Sequence, residues 1–164
     1  MDLSRNPGIG SHLPILIRLV NMTTGPILEL GMGFASTIYL HWACFDDKRK
    51  LVSLDGNSSY FQQNKRYAND YHQVLFVENW EKIDISGPWS IVFIDHETDR
   101  RAKDIARLAN NTDYIIAHDS EVRSDFGYKY STIYPLFKYR YDYIKASPNT
   151  SIVSNFNNVS NFMD

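Results

Sequence analysis

Cysteine is scarce in this chain: Cys44 is the single cysteine among 164 residues. A disulfide within the chain is therefore impossible, which excludes the small secreted folds that depend on disulfides for stability. Cys44 falls on the apolar face of a predicted helix, and we expect its thiol to be buried there as a small hydrophobic group.

An excess of one charge is also absent, because 17 basic and 19 acidic side chains leave a net charge of −2. This balance provides no general attraction to nucleic acid or to an anionic membrane. The apolar run 13–17 is too short to cross a bilayer, and residues 1–5 lack the basic and then apolar pattern of a signal peptide. We therefore expect a cytoplasmic protein that binds neither nucleic acid nor membrane.

The chain does contain enough apolar material for one core, with 43% hydrophobic residues. Its length suits a single domain. We predict one domain over 1–164, with an N-terminal helical cap at 1–24 and a C-terminal β-hairpin at 136–157. The many aromatic residues of that hairpin also suit the surface of a homodimer.

Short apolar runs alternate with helical segments along most of the chain. After a first helix at 11–22, the predicted strands are 26–30, 50–55, 73–77, 90–95 and 114–118, and the predicted helices between them are 35–44, 58–69 and 97–109. This alternation predicts a parallel sheet, and the unbroken apolar run 90–95 is typical of a strand buried on both faces. Segments 137–145 and 150–156 predict an antiparallel pair. The predicted fold is an α/β, Rossmann-like three-layer sandwich whose seven-stranded, mostly parallel sheet is closed by a C-terminal antiparallel hairpin.

The stretch 26–33 (Pro-Ile-Leu-Glu-Leu-Gly-Met-Gly) carries the clearest chemical pattern, since an apolar strand runs through the acid Glu29 into two nearby glycines. Asp55 ends the next predicted strand. Ligands of open α/β sheets bind beyond the carboxyl ends of the strands, and glycine lets the backbone approach a ligand closely. A carboxylate at the tip of the second strand suits a ribose diol, so the pattern points to an adenosine-containing ligand. Residue 36 is Ser instead of a third glycine, which counts against a nicotinamide dinucleotide.

A second set of polar residues follows the fourth and fifth predicted strands: Asp95, His96, His118 and Asp119. The carboxyl ends of neighbouring parallel strands lie side by side, so these four side chains are expected to converge. His96 or His118 would serve as a general base. Alternatively, Asp95 and Asp119, with Glu121, would hold Mg²⁺, which prefers oxygen ligands. The structural alternative is a core histidine at 118 and a helix cap at Asp119.

Three further expectations concern residues outside these motifs. Arg100, Arg101 and Lys103 are expected to form the solvated face of a helix. His12, near the start of the first helix, is expected to cap that turn, and the alternative is that it covers the site or contacts a substrate. Trp42 is expected to pack in the core.

Five strand–helix steps followed by a β-hairpin resemble the class I S-adenosylmethionine-dependent methyltransferases over nearly the whole chain. Glu29-Leu30-Gly31-Met32-Gly33 resembles their first motif, E/D-x-G-x-G, and Asp55 resembles the acid that binds the ribose hydroxyls. The run Glu78-Asn79-Trp80 follows the third strand, where the family often places a polar and an apolar residue beside the adenine.

A narrower resemblance is to small methyltransferases that carry an IDH…HD pair at the fourth and fifth strands. Ile94-Asp95-His96 and His118-Asp119 match this pair. Catechol- and caffeoyl-type O-methyltransferases hold a divalent metal at comparable acids, which would make Asp95 and Asp119 ligands of Mg²⁺. The Asn that usually follows is Ser120 here.

The resemblance implies an enzyme that transfers a methyl group from S-adenosylmethionine to an oxygen or nitrogen of a small-molecule acceptor. The implied cofactor-binding residues are Glu29, Gly31, Met32, Gly33, Ser36, Thr37, Asp55, Gly56, Asn57, Asn79, Trp80 and Asp95. The implied catalytic residues are Asp95, His96, His118 and Asp119. Two alternatives stay open: a non-catalytic module that binds S-adenosylmethionine or a nucleotide, and a different Rossmann-like enzyme that uses an adenosine nucleotide. The Asp/Asn-Pro-Pro-Tyr/Phe motif common in methyltransferases of DNA-base amines does not follow the fourth strand.

Overall fold

A computed structural model describes residues 8–163, so residues 1–7 of the predicted N-terminal cap lie outside the described part of the chain. Within it the helices are α1 (Leu13–Met22), α2 (Ser36–Ala43), α3 (Ser58–Asn64), α4 (Arg101–Leu108) and α5 (Asp125–Tyr128). The strands are β1 (Ile27–Leu30), β2 (Leu51–Asp55), β3 (His72–Phe76), β4 (Trp89–Ile94), β5 (Thr112–His118), β6 (Tyr139–Tyr143) and β7 (Thr150–Ser154). Short 3₁₀ turns lie at Lys65–Tyr67, Val122–Ser124, Tyr130–Thr132 and Tyr134–Leu136.

Across residues 8–163 the strands form one seven-stranded sheet in the order β3-β2-β1-β4-β5-β7-β6. Strands β1 to β5 pair in parallel, and β7 pairs antiparallel with both β5 and β6. This confirms the predicted α/β fold with its mostly parallel sheet and C-terminal antiparallel hairpin. None of the helices in the described range is long and apolar enough to cross a membrane.

Strand β4 is buried along its whole length and separates the two halves of the core. Ile91 and Phe93 face one side of the sheet, where the helix α1 packs with α2. Val92 and Ile94 face the other side, where the apolar face of α4 packs. Side chains alternate between the faces of a strand, so an unbroken apolar run is what a central strand between two helical layers requires.

Two expectations about α2 and its end have opposite outcomes. Cys44 is fully buried, as predicted, and burial raises the pKa of its thiol to about 11. Trp42 was expected in the core, but 60% of it is exposed. Leu40 and His41 are buried and mark the inner face of α2. Successive residues of a helix point about 100° apart, so Trp42, the next residue, points away from that face.

The ends of β1 and β4 approach each other too closely for a side chain at Gly31. Gly31 has a φ of +97°, and a Cβ there would collide with the carbonyl group of Asp95 and the amide nitrogen of His96. On the other side, its N–H donates a hydrogen bond of 2.8 Å to the carbonyl of Leu54 on β2. Glycine at this position therefore lets three neighbouring strands end at one level.

We expect Gly31→Ala to lower the free energy of unfolding by about 2 kcal/mol or more, because backbone strain and steric collision add. Gly33→Ala is the matched control: the nearest atom to an added Cβ there is Ser36 Oγ at 3.3 Å, and its φ is not positive. Urea denaturation of both variants measures the difference. Equal stabilities would contradict the close approach of β1 and β4.

Candidate functional site

Asp55 ties the two turns that follow β1 and β2 to each other. One of its carboxylate oxygens accepts the N–H of Met32 at 2.7 Å, and the other accepts the N–H of Asn57 at 2.6 Å. Burial raises the pKa of Asp55, while these two hydrogen bonds oppose that shift. Each carboxylate oxygen has a second lone pair, so Asp55 can still accept hydrogen bonds from a ligand.

Glu29 lies beneath the glycine turn and not beside a cavity. It is fully buried, and its carboxylate accepts hydrogen bonds from Thr37 Oγ1 at 3.0 Å and from Ser53 Oγ at 2.6 Å. Thr37 Oγ1 in turn accepts the N–H of Gly33 at 2.9 Å. Burial raises the pKa of Glu29 to about 7 despite these hydroxyl groups. Glu29 and Thr37 therefore support the turn from below.

A cavity of about 420 Å³ opens above the carboxyl ends of the strands. Six of the sequence-predicted cofactor residues line it: Met32, Gly33, Ser36, Asp55, Asn57 and Asp95. Three of the four predicted catalytic residues line it: Asp95, already counted above, His96 and His118. The cavity thus brings the glycine turn, the ribose-type acid and the ends of β4 and β5 to one place.

A second cavity, of about 330 Å³, lies on the other side of Glu97. Gly56, Asn79 and Trp80 line this second cavity, and Glu97 lines both. A Cβ at Gly56 would overlap the Glu97 carboxylate. The predicted cofactor residues are therefore divided between two neighbouring cavities, with Glu97 between them.

Asp95 and Asp119 are joined by the guanidinium of Arg101. Its Nη2 donates to Asp95 Oδ1 and its Nη1 donates to Asp119 Oδ2, both at 2.9 Å. Arg101 also donates from Nε to the His96 carbonyl at 2.7 Å and packs 4.2 Å from the ring of Tyr128. Asp119 lies in this cluster but is not among the residues that line the larger cavity.

This cluster corrects the sequence analysis on one point. Arg100 and Arg101 were expected on a solvated face but are only 6% and 5% exposed, whereas Lys103 is exposed as expected. The cause is that the first turn of α4 packs against the ends of β4 and β5. The structural alternative of a helix cap at Asp119 is not found, since its carboxylate accepts hydrogen bonds from Arg101 and from the hydroxyl of Tyr128.

His118 completes the cluster as the partner of Asp95. Its Nδ1 lies 3.3 Å from Asp95 Oδ1, and its Nε2 lies 3.0 Å from Ser11 Oγ. Burial would lower the pKa of His118, but the hydrogen bond and the charge of Asp95 raise it above its ordinary value. Burial likewise opposes ionisation of Asp95, yet His118 and Arg101 hold its pKa below the usual range. The pair therefore favours an imidazolium and a carboxylate.

The donor set at Asp95, His118 and Asp119 does not fit a divalent metal. One ligand atom from each lies within 4.8 Å of the others. However, the guanidinium of Arg101 is hydrogen-bonded to both carboxylates and supplies the positive charge that a metal would bring. A second cation at the same carboxylates would have to displace Arg101, which is itself buried. Ser120, in place of the usual Asn, supplies no amide ligand.

His96 is held from behind by α4. Its Nε2 lies 2.9 Å from a carboxylate oxygen of the fully buried Asp104, and its ring lies 4.5 Å from that of Trp80. Arg100 and Arg107 also donate to Asp104. These contacts fix the orientation of the imidazole at the wall of the cavity.

His12 occupies the N-cap position of α1, as expected, but its side chain makes no capping hydrogen bond. It lines the larger cavity instead. Phe34, Tyr60 and Glu97 also line it and were missed in the sequence. Phe34 follows the glycine turn directly, so proximity in sequence was a usable signal for it; Tyr60 and Glu97 reach the cavity only through tertiary packing.

Several solved methyltransferases share this fold. TomG, an O-methyltransferase of Streptomyces achromogenes involved in tomaymycin synthesis and solved with S-adenosylmethionine, has a TM-score of 0.63 and 14% identity, covering 89% of this chain and 79% of its own. The O-methyltransferase of Bacillus cereus, in complex with S-adenosylhomocysteine, has a TM-score of 0.61 and 16% identity, covering 91% and 81%. The human methyltransferase 10 domain containing protein has a TM-score of 0.63 and 9% identity, covering 91% and 84%.

Neither a family profile nor a curated protein sequence matches the chain. At identities of 9% to 16% the structural matches show the fold alone, which is that of the class I S-adenosylmethionine-dependent methyltransferases. This confirms the fold that the sequence resemblance implied. The chemistry must be argued from the side chains of this chain.

Glu29 gives the first prediction from this site, through the pH dependence of stability. Its pKa is about 7 in the folded chain, above the ordinary value of 4.5, so between these two pH values the native state binds more protons than the unfolded chain does. Its contribution to stability is therefore largest at low pH and is lost as the pH rises to about 7. Between pH 5 and 8 the stability of the wild type, minus that of Glu29→Gln, should fall by about 2 kcal/mol. Parallel stability curves for the two proteins would contradict this buried acid.

Arg101 gives the second prediction, which concerns metal binding. We expect the wild type to leave the electron paramagnetic resonance signal of added Mn²⁺ unchanged, because Arg101 is hydrogen-bonded to both acids and, together with the imidazolium of His118, balances their charge. Arg101→Ala should bind Mn²⁺, and Asp119→Asn in that background should abolish the binding. Arg107→Ala, which removes a more exposed arginine of the same helix, is the control and should behave as the wild type. Stoichiometric Mn²⁺ binding by the wild type that depends on Asp119 would refute the assignment.

Proposed function

We propose that this protein is an S-adenosylmethionine-dependent methyltransferase that acts on a small-molecule acceptor, at oxygen or nitrogen, without a divalent metal. The observation that carries the proposal is the charge of the cavity wall. Asp55 lines the cavity and can accept hydrogen bonds from a ribose, and among the described residues no cationic side chain of the wall is free of a carboxylate partner. The cationic side chains that line it in the described range, Arg101 and His118, are both hydrogen-bonded to Asp95.

The charge balance favours an adenosine ligand without phosphates. Triphosphates and dinucleotides need basic side chains or exposed backbone N–H groups for their negative charge. Here the N–H of Met32 donates to Asp55 and that of Gly33 donates to Thr37, so these two donors are not available to a phosphate group. Asp55 and Glu97 add two acidic side chains to the cavity wall. Such a wall suits a positively charged ligand such as a sulfonium.

The cavity volume of about 420 Å³ lies within the range of small-molecule sites, roughly 300–1,000 Å³. When bound, S-adenosylmethionine supplies an activated methyl group on a positively charged sulfur. Asp55 would receive the ribose hydroxyls, and the residues of the second cavity, Asn79 and Trp80 with Gly56, would accept the adenine. The ends of β4 and β5 would then orient the acceptor, since alignment of the two reactants is the main task in such a transfer.

Two alternatives differ from this proposal in measurable ways. A non-catalytic binding module would bind S-adenosylmethionine and transfer no methyl group. A different Rossmann-like enzyme would prefer ATP or NAD. The cavity does not favour these ligands, because its cationic side chains are already paired with Asp95. The acceptor of a methyltransferase is tested separately, by following a labelled methyl group into small molecules, protein and nucleic acid.

The third prediction tests the cofactor. We expect calorimetry to show binding of S-adenosylmethionine and S-adenosylhomocysteine, and at least tenfold weaker binding of ATP and NAD. Asp55→Asn should weaken S-adenosylhomocysteine binding at least tenfold, about 1.4 kcal/mol, because the amide replaces a charged acceptor. Asp47→Ala, which removes an exposed acid near the start of β2, is the control and should bind as the wild type.

Each outcome of this titration leads to a decision. Failure to bind either S-adenosyl compound, or preference for ATP or NAD, would refute the methyltransferase proposal. Binding without transfer of labelled methyl to any acceptor class would favour the non-catalytic module. Transfer into the nucleic acid or protein fraction alone would keep the reaction and overturn the small-molecule acceptor.

A further inference from the structure

His12 lines the larger cavity and has an unpaired imidazole. The residue is only 5% exposed, and among the described residues neither ring nitrogen has a hydrogen-bond partner. Burial, together with the neighbouring His118, lowers the pKa of His12 to about 4, so the ring is neutral and one nitrogen keeps its lone pair. A buried polar atom without a partner destabilises the fold, and its presence in a residue that lines a cavity points to a ligand that satisfies it.

The surroundings of His12 supply contact but no hydrogen bond. Its ring lies 4.7 Å from that of Phe93 and 4.8 Å, edge-on, from that of His118. The adjacent Ser11 is directed to His118 and so does not serve His12. The residue as a whole lines the larger cavity.

Of the other two histidines of the site, His118 is engaged at both ring nitrogens and His96 at one, since His96 Nδ1 has no hydrogen-bond partner among the described residues. Both nitrogens of His118 have partners, Asp95 and Ser11, which leaves no nitrogen free to receive a proton from an acceptor. His96 uses Nε2 for Asp104, and its ring lies against Trp80, which lines the second cavity. Of the three, His12 is the histidine with both nitrogens available at the end of β5.

We propose that His12 binds the nucleophilic group of the methyl acceptor, and that this acceptor is a small ring compound bearing a hydroxyl or amine group. This inference rests on the proposed methyltransferase function. The acceptor oxygen or nitrogen forms the new bond to the methyl carbon, and the bond from that carbon to sulfur breaks with its electron pair left on sulfur. The acceptor's O–H or N–H donates a hydrogen bond to His12, and its proton passes to solvent as the new bond to the methyl carbon forms. The methylated ether no longer carries a donor for His12, which favours its release.

The walls of the cavity account for the ring. Phe34 and Tyr60 line it with their rings edge to face at 6.0 Å, and they are 47% and 37% exposed. Phe93 lies against His12 on the inner side. Aromatic side chains on two sides suit a flat apolar body, and the single unpaired imidazole supplies one polar contact.

The test uses ¹⁵N-labelled histidine in the full chain, first saturated with S-adenosylhomocysteine, and nuclear magnetic resonance of the imidazole nitrogens. Phenol and aniline are the probes with a donor, and anisole and N,N-dimethylaniline are their methylated counterparts. We expect phenol and aniline to shift a His12 nitrogen, and the methylated compounds to leave it unchanged. The signals of His12 are identified as those missing from His12→Phe.

His12→Phe keeps a ring of similar shape beside Phe93 but removes the acceptor nitrogen. It should bind S-adenosylhomocysteine as the wild type does and lose phenol affinity at least tenfold. If this variant fails to fold, the wild-type titration still decides, with the signals of the other four histidines assigned through His41→Gln, His72→Gln, His96→Gln and His118→Gln. The signals that none of these variants removes are those of His12.

Several results would overturn the assignment of His12. It is wrong if His12 stays silent to both donor probes, if anisole shifts it as phenol does, or if the probes shift His96 or His118 alone. These failures are distinct from failure of the proposed function, which appears in the same samples as absent binding of S-adenosylhomocysteine.

Discussion

The close approach of β1 and β4 at Gly31 is the constraint on which the site depends. Leu30 pairs with Leu54 on one side and with Ile94 on the other, so β1, β2 and β4 reach their carboxyl ends together. The N–H of Asp95 donates to the carbonyl of Leu30 at 2.7 Å and closes this junction. With a side chain at residue 31, β4 would have to move away from β1. The acids at the ends of β2 and β4 would then no longer face a common cavity.

The second determinant is the distribution of charge at these strand ends. Burying Arg101 is costly unless its donors are satisfied, and two carboxylates and two backbone carbonyls satisfy them. Removing one member would leave the others charged and unpaired, so the cluster is fixed as a unit. Its internal neutralisation leaves Asp55 and Glu97 as the unbalanced charges of the cavity. The proposed preference for a cationic ligand thus follows from how the neighbouring cluster is neutralised.

The fold and one half of the site could be predicted because their signals are local. The run 90–95 is apolar at every position, and the turn at 29–33 and the acid at 55 each follow a strand in the sequence. Arg101 could not be placed in this way, since 100–103 has the composition of an exposed helix face. Which polar residue of that helix turns inward depends on how α4 crosses the sheet. Glu97 and Tyr60 were missed for the same reason, because their positions are set by packing between distant segments.

The two halves of the site also differ in what supports them. Residues that would hold the cofactor lie at strand ends fixed by the central sheet, whereas Phe34, Tyr60 and His12 lie on helices or loops above it. Connecting segments tolerate change more readily than buried strands do. This explains how chains only 9% to 16% identical keep one fold. Under the proposed function, selection of the acceptor falls to the segments that the sheet does not constrain.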